Sequence, residues 1–437
     1  MPTYLSSTEA ATRLGVARQT LYAYVSRGLL RASSDPVTRE SRYLASDVER
    51  LAANRARGRK PKEVARAALD WGAPVLASAI TLIEDGRLSY RGVDALDLAA
   101  RASLEEVAAL LWQCDESAAF ATPAPQAPDV LKTLQAHYRN QRAEAALLPL
   151  FSVASEDAPT AIWQRNAARQ AQGCGDLVRL LAACLLGAAP DQATRAAPIH
   201  EQCARAWGVG KDGAELIRMA LVLCADHELN ASSFTARCIA STDASLRSVV
   251  IGGLAGLSGG RHGATTARCE ALWDELGEAN PERKLRERLA RGDDLPGFGH
   301  PLYPDGDVRA AWLLARVLPR HPAWKKLLDL GSAQVGQQPS LDLALVALRR
   351  HLNLPMGAAF GLFALGRSVG WIAHGLEQRQ NPHLIRPRAV YTGLRPPASD
   401  SSGNANVSRH SARKRNAKTP RETPPGPDMF TTLFKIT

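Results

Sequence analysis

One aspartate and one histidine have the residue types needed to remove a proton beside a carbonyl group. Asp342 is the only acid in LDLALVAL, the apolar start of a predicted helix that Ser340 can cap. Burial would raise the pKa of Asp342, whereas the helix end would lower it. His262 precedes a helix predicted to begin near Ala264, and a helix N-terminus disfavours the imidazolium. A neutral His262 could therefore polarise a substrate oxygen while Asp342 takes a proton from a weak carbon acid.

A second histidine lies in an unusually constrained segment. Residues 295–309 read LPGFGHPLYPDGDVR, with three prolines and three glycines around His300 and an arginine, Arg309, at the end. This composition excludes a regular helix and a central strand. The segment is either a surface loop or a rigid loop that holds His300 toward a ligand.

Arginines near the end of the same region indicate an anionic ligand. Arg367 is the one charge among small and apolar residues in FALGRSVGW, and Arg386 and Arg388 follow in IRPRAVYTGL. A guanidinium group can bind both oxygens of a carboxylate, so two or three arginines around one cleft indicate a di- or tricarboxylate.

Each of these residues also has a purely structural explanation. Asp342 could be an ordinary helix N-terminal charge, and the two histidines could be loop residues bonded to backbone. Arg367 could form a buried ion pair, and Arg309 could pair with Asp307. Only the residues taken together favour a catalytic site.

The elements that must position these side chains are predicted to be helices. The chain has 437 residues, 45% of them hydrophobic, and stretches such as AELIRMALVLCADH repeat apolar residues at helical spacing. Alternating Val, Ile and Thr are scarce. We therefore predict a mainly α-helical body over residues 63–394, with a large lobe, a small lobe at about 260–350, and a ligand cleft between them.

The cellular location follows from the cysteines and the N-terminus. The seven cysteines include no CxxC pair, and MPTYLSSTEAATRL lacks the pattern of a signal peptide. No apolar run reaches the ~18 residues that a membrane span requires. We expect reduced thiols and a cytoplasmic protein.

Residues 1–58 form a separate predicted module. SSTEAATRLGVARQTLYAYVSRGLL predicts two short helices, the first capped by Ser6 and Glu9 and ended by Gly15, and the second spanning residues 16–25. A turn-like TRESRY and a third helix, ASDVERLAANRARGR, follow. Residues 1–62 hold 12 basic and 5 acidic side chains, so this end of the chain could meet a polyanion.

The order of these helices is that of a helix-turn-helix, whose second helix could enter the major groove of DNA. The module resembles the winged MerR/excisionase type in LGVxxxTLY, GLL and RY. The candidate DNA-binding residues are Arg18, Gln19, Thr20, Tyr22 and Arg42. A helical cap or a protein-docking module remains the alternative.

The C-terminal residues 395–437 are rich in Pro, Ser, Asn and basic side chains. Such a composition does not bury enough apolar surface to fold, so we predict a disordered basic tail.

Several ordered blocks between residues 70 and 394 resemble the citrate synthase family. They are LIEDGRLSYRGVDALDLA, ADHELNASSFTAR, GLSGGRHGATT, PGFGHPLYPDGDVR, GRSVGWIAHGLEQ and IRPRAVYTG. The resemblance implies a two-lobed helical fold and the condensation of acetyl-CoA with oxaloacetate and water to citrate and CoA. It implies no metal, and no cofactor apart from the coenzyme A thioester that is the substrate.

The resemblance also implies a role for each catalytic residue. His262 would polarise the thioester carbonyl, Asp342 would remove the α-proton, and His300 would protonate the oxaloacetate ketone as the carbon–carbon bond forms. The residues implied to bind oxaloacetate are His227, Arg309, Arg367 and, from the second subunit of a homodimer, Arg386. The residues implied to lie against coenzyme A are Leu295, Pro296, Gly297, Phe298 and Gly299.

The chain departs from the family around Asp342, where PSLDLALVA replaces a Tyr-Ser-Gly neighbourhood. Two alternatives therefore stand beside citrate formation. One is a 2-methylcitrate synthase that uses propionyl-CoA. The other is a DNA-binding regulator whose synthase-like body senses oxaloacetate, citrate or acyl-CoA.

Overall fold

A computed structural model describes residues 4–16, 18–26, 30–34, 40–58, 76–189, 191–277, 279–389 and 391–394. Helices dominate these residues, which confirms the mainly α-helical class. The helices are α1 Ser7–Leu14, α2 Arg18–Ser26, α3 Ala45–Gly58, α4 Ala95–Arg101, α5 Leu104–Trp112, α6 Glu116–Ala119, α7 Asp129–Tyr138, α8 Ala143–Ala154, α9 Ala167–Leu186, α10 Gln192–Ala196, α11 Ile199–Ala206, α12 Lys211–Cys224, α13 Ala231–Ala240, α14 Leu246–Leu257, α15 Thr265–Leu276, α16 Pro281–Ala290, α17 Val308–Val317, α18 Pro322–Val335, α19 Leu341–His351 and α20 Ala358–Gln378. The strands are β1 Tyr4–Ser6, β2 Ala32–Ser34, β3 Ser41–Leu44, β4 Thr81–Glu84, β5 Arg87–Tyr90 and β6 Val93–Asp94.

The N-terminal module combines α1 to α3 with a three-stranded antiparallel sheet in the order β1-β3-β2. The predicted capping box forms, because the Ser6 hydroxyl accepts from the Glu9 backbone and the Glu9 carboxylate accepts from the Ser6 N–H. The turn-like TRESRY prediction is wrong at its end, where Ser41 begins β3. Tyr43 is buried in the module while Arg42 beside it is exposed, and this alternation is that of a strand. The alternation is short and charged residues flank it, so it was not visible in the sequence.

The large helical body is organised around α20. Every residue of α20 from Ala358 to Gly375 is buried, and a helix that is buried all round is a core helix. It packs against α12, α13 and α14. The Trp112 indole N–H of α5 donates to the Val369 carbonyl at 3.0 Å, which satisfies a polar atom inside this core.

Two smaller elements complete the description. Strands β4, β5 and β6 form an antiparallel sheet, and Leu88 and Tyr90 of β5 belong to the large core. A separate apolar core joins α15, α16 and α18 to the segment before His300 through Leu272, Leu285 and Leu327.

Contacts divide the chain into one unit, Met1–Ile385, and a second unit, Arg386–Thr437. Only residues 386–389 and 391–394 of the second unit are described. The predicted tail at 395–437 and the beginning of the predicted 63–394 body lie outside the described residues.

Close packing of α20 generates a prediction about Gly370. A Cβ there would lie 2.4 Å from both the Ala225 carbonyl oxygen and Asp226 Oδ1, so backbone must move to admit it. We expect Gly370→Ala to lower the free energy of unfolding by about 1–3 kcal/mol in urea denaturation. Gly210→Ala, at the N-cap of α12, is the control, because no atom lies within 4 Å of a Cβ there. Equal stability of the two variants would contradict tight packing at Gly370.

Candidate active site

The connection between α12 and α13 places the first group of polar side chains. The Asn230 side chain caps α13 by accepting from the Ser232 and Ser233 N–H groups. His227 is buried in the connection, and its Nε2 lies 3.1 Å from the Tyr303 hydroxyl oxygen. Burial, followed by the charge of Arg309, holds the pKa of His227 well below its usual value. His227 is therefore a neutral imidazole at physiological pH.

His300 begins a tight turn that orients its ring. The Tyr303 N–H donates to the His300 carbonyl at 2.9 Å, with Pro301 at the position where its fixed φ favours a turn. The Leu302 N–H donates to His300 Nδ1 at 3.2 Å. Burial, followed by Arg309, lowers the pKa of His300 to about 4. The neutral ring therefore carries its proton on Nε2, the nitrogen that can polarise a carbonyl oxygen.

Asp342 is tied to the His300 segment through backbone hydrogen bonds. The Ser340 N–H donates to the Gly297 carbonyl at 2.7 Å, and the Gly299 N–H donates to the Gln338 carbonyl at 2.8 Å. Asp342 lies in the first turn of α19, two residues after Ser340. The catalytic candidates His300 and Asp342 thus sit on two paired segments.

Burial sets the protonation of Asp342. It raises the pKa to about 7 and outweighs the charge of Arg309, which lowers it. Its Oδ1 has no hydrogen-bond partner among the described residues, and Ser340 Oγ is 3.5 Å from Oδ2. Ser340 is the N-cap residue, but its side chain does not cap the helix, so that prediction is wrong. The carboxylate is therefore poised to exchange a proton near neutral pH.

His262 lies just before α15, as predicted, and its ring is held from one side. Nε2 is 2.8 Å from Ser232 Oγ and 3.2 Å from Asn230 Oδ1. The Trp371 indole N–H donates to the same Ser232 oxygen at 3.1 Å. Burial, followed by Arg367, lowers the pKa of His262 to about 3. Ser232 Oγ also lies 2.8 Å from the Asn230 amide oxygen, so the hydroxyl has two acceptors, that oxygen and Nε2. In the tautomer where the hydroxyl donates to Nε2, the neutral ring presents an N–H at Nδ1.

Two buried arginines supply the positive charge. Arg309 forms the ion pair with Asp307 that was its structural alternative, with its Nε and Nη2 atoms 2.9 and 2.8 Å from the two carboxylate oxygens. Arg367 is 1% exposed, donates from Nε to the Cys224 carbonyl at 2.7 Å, and leaves Nη2 without a partner among the described residues. Such a buried donor is costly unless an anion binds it.

Phe363 connects these groups. Its ring centroid lies 6.0 Å from that of His262, and the Arg367 guanidinium carbon lies 5.0 Å from the same ring. The ring centroids of His227 and His300 are 4.9 Å apart. The described structure therefore brings together His227, His262, His300, Arg309, Asp342 and Arg367.

The remaining predicted site residues lie elsewhere or pack inward. Arg386 is exposed and belongs to the second unit, which is described by itself. Leu295, Pro296 and Gly297 are buried. A Cβ on Gly297 would lie 2.6 Å from Cys269 Sγ, and one on Gly299 would lie 2.2 Å from the Gln337 side chain. Neighbouring protein atoms occupy the space where side chains would lie, and this packing accounts for both glycines. The contact with coenzyme A that the resemblance implies is a different reason for them.

In the N-terminal module, the candidate DNA-binding residues lie on and beside α2. The exposed members are Arg18, Gln19, Tyr22 and Arg42, and Thr20 is partly buried. The Arg18 guanidinium donates to the Thr8 hydroxyl of α1.

Sequence reasoning missed four residues that hold the site together: Ser232 as a partner of His262, Phe363, Trp371 and Tyr303. The four-residue spacing of Phe363, Arg367 and Trp371 was a usable signal, because such residues share one helix face. Tyr303 closes a His-Pro-Leu-Tyr turn, which sequence chemistry could also have indicated.

The described residues also bear on metal sites and membrane-spanning helices. The described residues contain no cluster of three or more His, Cys, Asp or Glu side chains that could hold a metal ion. No helix among them has the length and apolarity to cross a membrane.

Comparison with known proteins identifies the chain. Residues 68–388 match the family model described as citrate synthase, C-terminal domain, and residues 4–56 match a helix-turn-helix domain. Citrate synthase 2 of Bacillus subtilis is 29% identical, and citrate synthase of Haloferax volcanii is 30% identical. Each alignment covers 74% of this chain and 94% of the relative.

Solved structures give the same result. The citrate synthase from Thermotoga maritima superposes with a TM-score of 0.62 and 26% identity, covering 74% of this chain and 94% of that one. The Thermoplasma acidophilum enzyme, solved with carboxymethyl coenzyme A and oxaloacetate, shares the fold with a TM-score of 0.63 and 23% identity, covering 74% and 95%.

The fold, the site and these matches define an acyltransferase preceded by a helix-turn-helix domain. The chain belongs to the citrate synthase family, whose members condense an acyl-CoA with oxaloacetate. These enzymes need no cofactor beyond the coenzyme A substrate.

The raised pKa of Asp342 predicts how stability depends on pH. The fold favours the protonated carboxyl, so this stabilisation is complete below the ordinary aspartate pKa of about 4 and is lost as pH rises through about 7. Because an amide cannot ionise, Asp342→Asn should gain stability relative to wild type as pH rises from 4 to 8. Urea denaturation at several pH values measures this difference.

The control for this measurement is Asp329→Asn, because Asp329 is an exposed partner of Lys325 in α18. Its stability relative to wild type should stay within about 0.5 kcal/mol over the same pH range. A pH-independent difference for Asp342→Asn would contradict a raised pKa.

Proposed function

We propose that this protein catalyses the condensation of acetyl-CoA and oxaloacetate to citrate and CoA, using His262, His300 and Asp342 as catalytic residues. The observation that carries the proposal is the buried Arg367, whose Nη2 has no partner among the described residues, beside neutral imidazoles and a carboxyl with a pKa of about 7. A carboxylate oxygen of a dicarboxylate supplies the missing acceptor.

The first chemical step is enolisation. The His262 N–H donates to the thioester carbonyl oxygen, and Asp342 removes a proton from the adjacent methyl carbon. The electron pair of that C–H bond moves toward the carbonyl oxygen, where the neutral imidazole stabilises the developing charge. A carboxylate with a pKa near neutral is a stronger base than an exposed aspartate, and with a pKa of about 7 it is mostly ionised at pH 8.

The second step forms the carbon–carbon bond. The enol carbon attacks the ketone carbon of oxaloacetate, and the ketone oxygen takes the proton that His300 holds on Nε2. His227, Arg309 and Arg367 hold the carboxylates of oxaloacetate. Water then attacks the carbonyl carbon of the citryl thioester and the C–S bond breaks, giving citrate and free CoA. One proton of this water goes to the CoA sulfur and the other returns to His300, while Asp342 releases to solvent the proton that it took from the methyl carbon.

Propionyl-CoA is the second candidate acyl donor. Ala344, Leu345 and Val346 stand where the family has the Tyr-Ser-Gly neighbourhood of its catalytic aspartate, so this stretch of the chain is apolar. A 2-methylcitrate synthase of Mycobacterium tuberculosis is 28% identical over 74% of this chain and 89% of its own length. Both observations favour testing a longer acyl chain.

We also infer a homodimer and a cytoplasmic location. The exposed Arg386 is available to complete the site of a second copy, as the sequence resemblance implies. All seven cysteines are free thiols, which suits a reducing compartment.

The N-terminal module supports a second, regulatory function in DNA binding. Arg18, Gln19 and Tyr22 are exposed along α2, and Arg42 is exposed on strand β3. A basic surface of this kind on a helix-turn-helix is typical of contact with phosphates and base edges. Binding of oxaloacetate or acyl-CoA to the body would then be the signal that the module reports.

Release of free CoA tests the enzymatic proposal. Wild-type protein with oxaloacetate should release CoA from acetyl-CoA, at a rate that rises with pH through about 7 as Asp342 ionises. Asp342→Asn should lower kcat by at least about a hundredfold, because it removes the general base. Asp329→Asn should keep the wild-type rate.

Comparing kcat/KM for acetyl-CoA and propionyl-CoA in the same assay separates the two acyl donors. Wild-type protein that releases no CoA from either thioester would refute the enzymatic proposal. An Asp342→Asn variant with the wild-type rate would remove Asp342 from the mechanism.

Salt dependence tests the DNA proposal. The full chain should bind a duplex selected from a random pool, with an affinity that falls as salt rises. Replacing both Arg18 and Arg42 by alanine should reduce the slope of log affinity against log salt by about one for each phosphate that the protein no longer neutralises. Arg283→Ala, at an exposed position of α16, is the matched control. An unchanged slope in the double variant would exclude this face of the module.

A further inference from the structure

Tyr303 contacts three of the residues proposed to hold oxaloacetate but has no role in the mechanism above. Its hydroxyl oxygen lies 3.1 Å from His227 Nε2. The Tyr303 ring centroid lies 5.2 Å from the His300 ring centroid and 5.4 Å from the Arg309 guanidinium carbon. The side chain is only 2% exposed. Tyr303 is therefore fixed at the centre of the group.

The direction of the hydrogen bond to His227 follows from protonation. Burial raises the pKa of Tyr303 to about 12, so the phenol keeps its proton at neutral pH. His227 is a neutral imidazole, so one of its nitrogens is an acceptor. The Tyr303 hydroxyl has no other hydrogen-bond partner among the described residues, and a buried hydroxyl that donates to nothing is costly. The hydroxyl therefore donates to Nε2, which leaves the His227 proton on Nδ1.

The same turn fixes the neighbouring imidazole in the opposite tautomer. The Leu302 N–H occupies His300 Nδ1, so His300 carries its proton on Nε2. The two rings meet edge to face, with an angle of 83° between their planes. Residues 300–303 thus decide which nitrogen of each ring can donate to a ligand.

We propose that Tyr303 is a positioning residue whose hydroxyl selects the Nδ1–H tautomer of His227, so that His227 donates a hydrogen bond to a carboxylate oxygen of oxaloacetate. The identity of the ligand rests on the proposed function. Tyr303 acts through His227 and does not itself touch the reacting atoms.

Replacing Tyr303 by phenylalanine removes only the hydroxyl and keeps the ring beside His300 and Arg309. In the full-length protein, Tyr303→Phe should raise the dissociation constant of oxaloacetate, measured by calorimetry without acyl-CoA, by about tenfold. Nitrogen-15 spectra of histidine-labelled protein should show the His227 signals moving from the Nδ1–H pattern toward a mixture of tautomers. The His227→Asn spectrum identifies these signals by their absence.

Tyr43→Phe is the matched control, because Tyr43 is also buried but belongs to the apolar core of the N-terminal module. It should change oxaloacetate affinity by less than about twofold, whatever it does to the melting temperature. The double variant Tyr303→Phe with His227→Asn should bind oxaloacetate no more weakly than His227→Asn alone, because the two residues act as one unit.

Three results would overturn the proposal: an unchanged His227 tautomer in Tyr303→Phe, wild-type affinity in that variant, or additive losses in the double variant. Wild-type protein that binds no oxaloacetate would instead refute the proposed ligand. The tautomer measurement needs no ligand, so it separates these two failures.

Discussion

The Asp307 carboxylate is the interaction on which the arrangement of the site depends. It accepts from the Arg309 backbone at the start of α17, from the Arg309 guanidinium, and from the Leu341 N–H at the start of α19 at 3.1 Å. One buried side chain therefore fixes a carboxylate clamp and the helix that carries Asp342. Losing it would leave several buried donors unsatisfied at once, which is more costly than losing any single bond.

Burial sets the protonation states of the site. Burial lowers the pKa of His227, His262 and His300, so the imidazoles remain neutral donors and do not compete with the arginines for the ligand. Asp307 compensates Arg309, while Arg367 keeps an unpartnered donor among the described residues. A carboxylate of the substrate satisfies this donor, so binding free energy is concentrated where the reaction needs a fixed ketone.

The fold class and most residues of the site could be predicted from the sequence. The contacts between those residues could not. Apolar periodicity indicated helices, and isolated charges such as Arg367 indicated an anion site. The neighbours that set each protonation state come from distant parts of the chain, such as Ser232 beside His262. Local patterns carry no information on such pairs. The strand at Ser41 was missed for a related reason, since tertiary burial of Tyr43 decides it.

A single stripe of α20 shows why this site tolerates little displacement. Phe363, Arg367 and Trp371 recur every four residues and therefore lie on one face of the helix. Phe363 packs near the His262 ring, and Arg367 supplies the hydrogen-bond donor for an anion. The Trp371 indole N–H donates to the Ser232 hydroxyl oxygen, which lies beside His262. At Gly370, by contrast, the helix must carry no side chain, because α20 approaches the backbone beside His227 too closely there. Because the same helix sets both distances, a shift that relieves one contact must disturb the other.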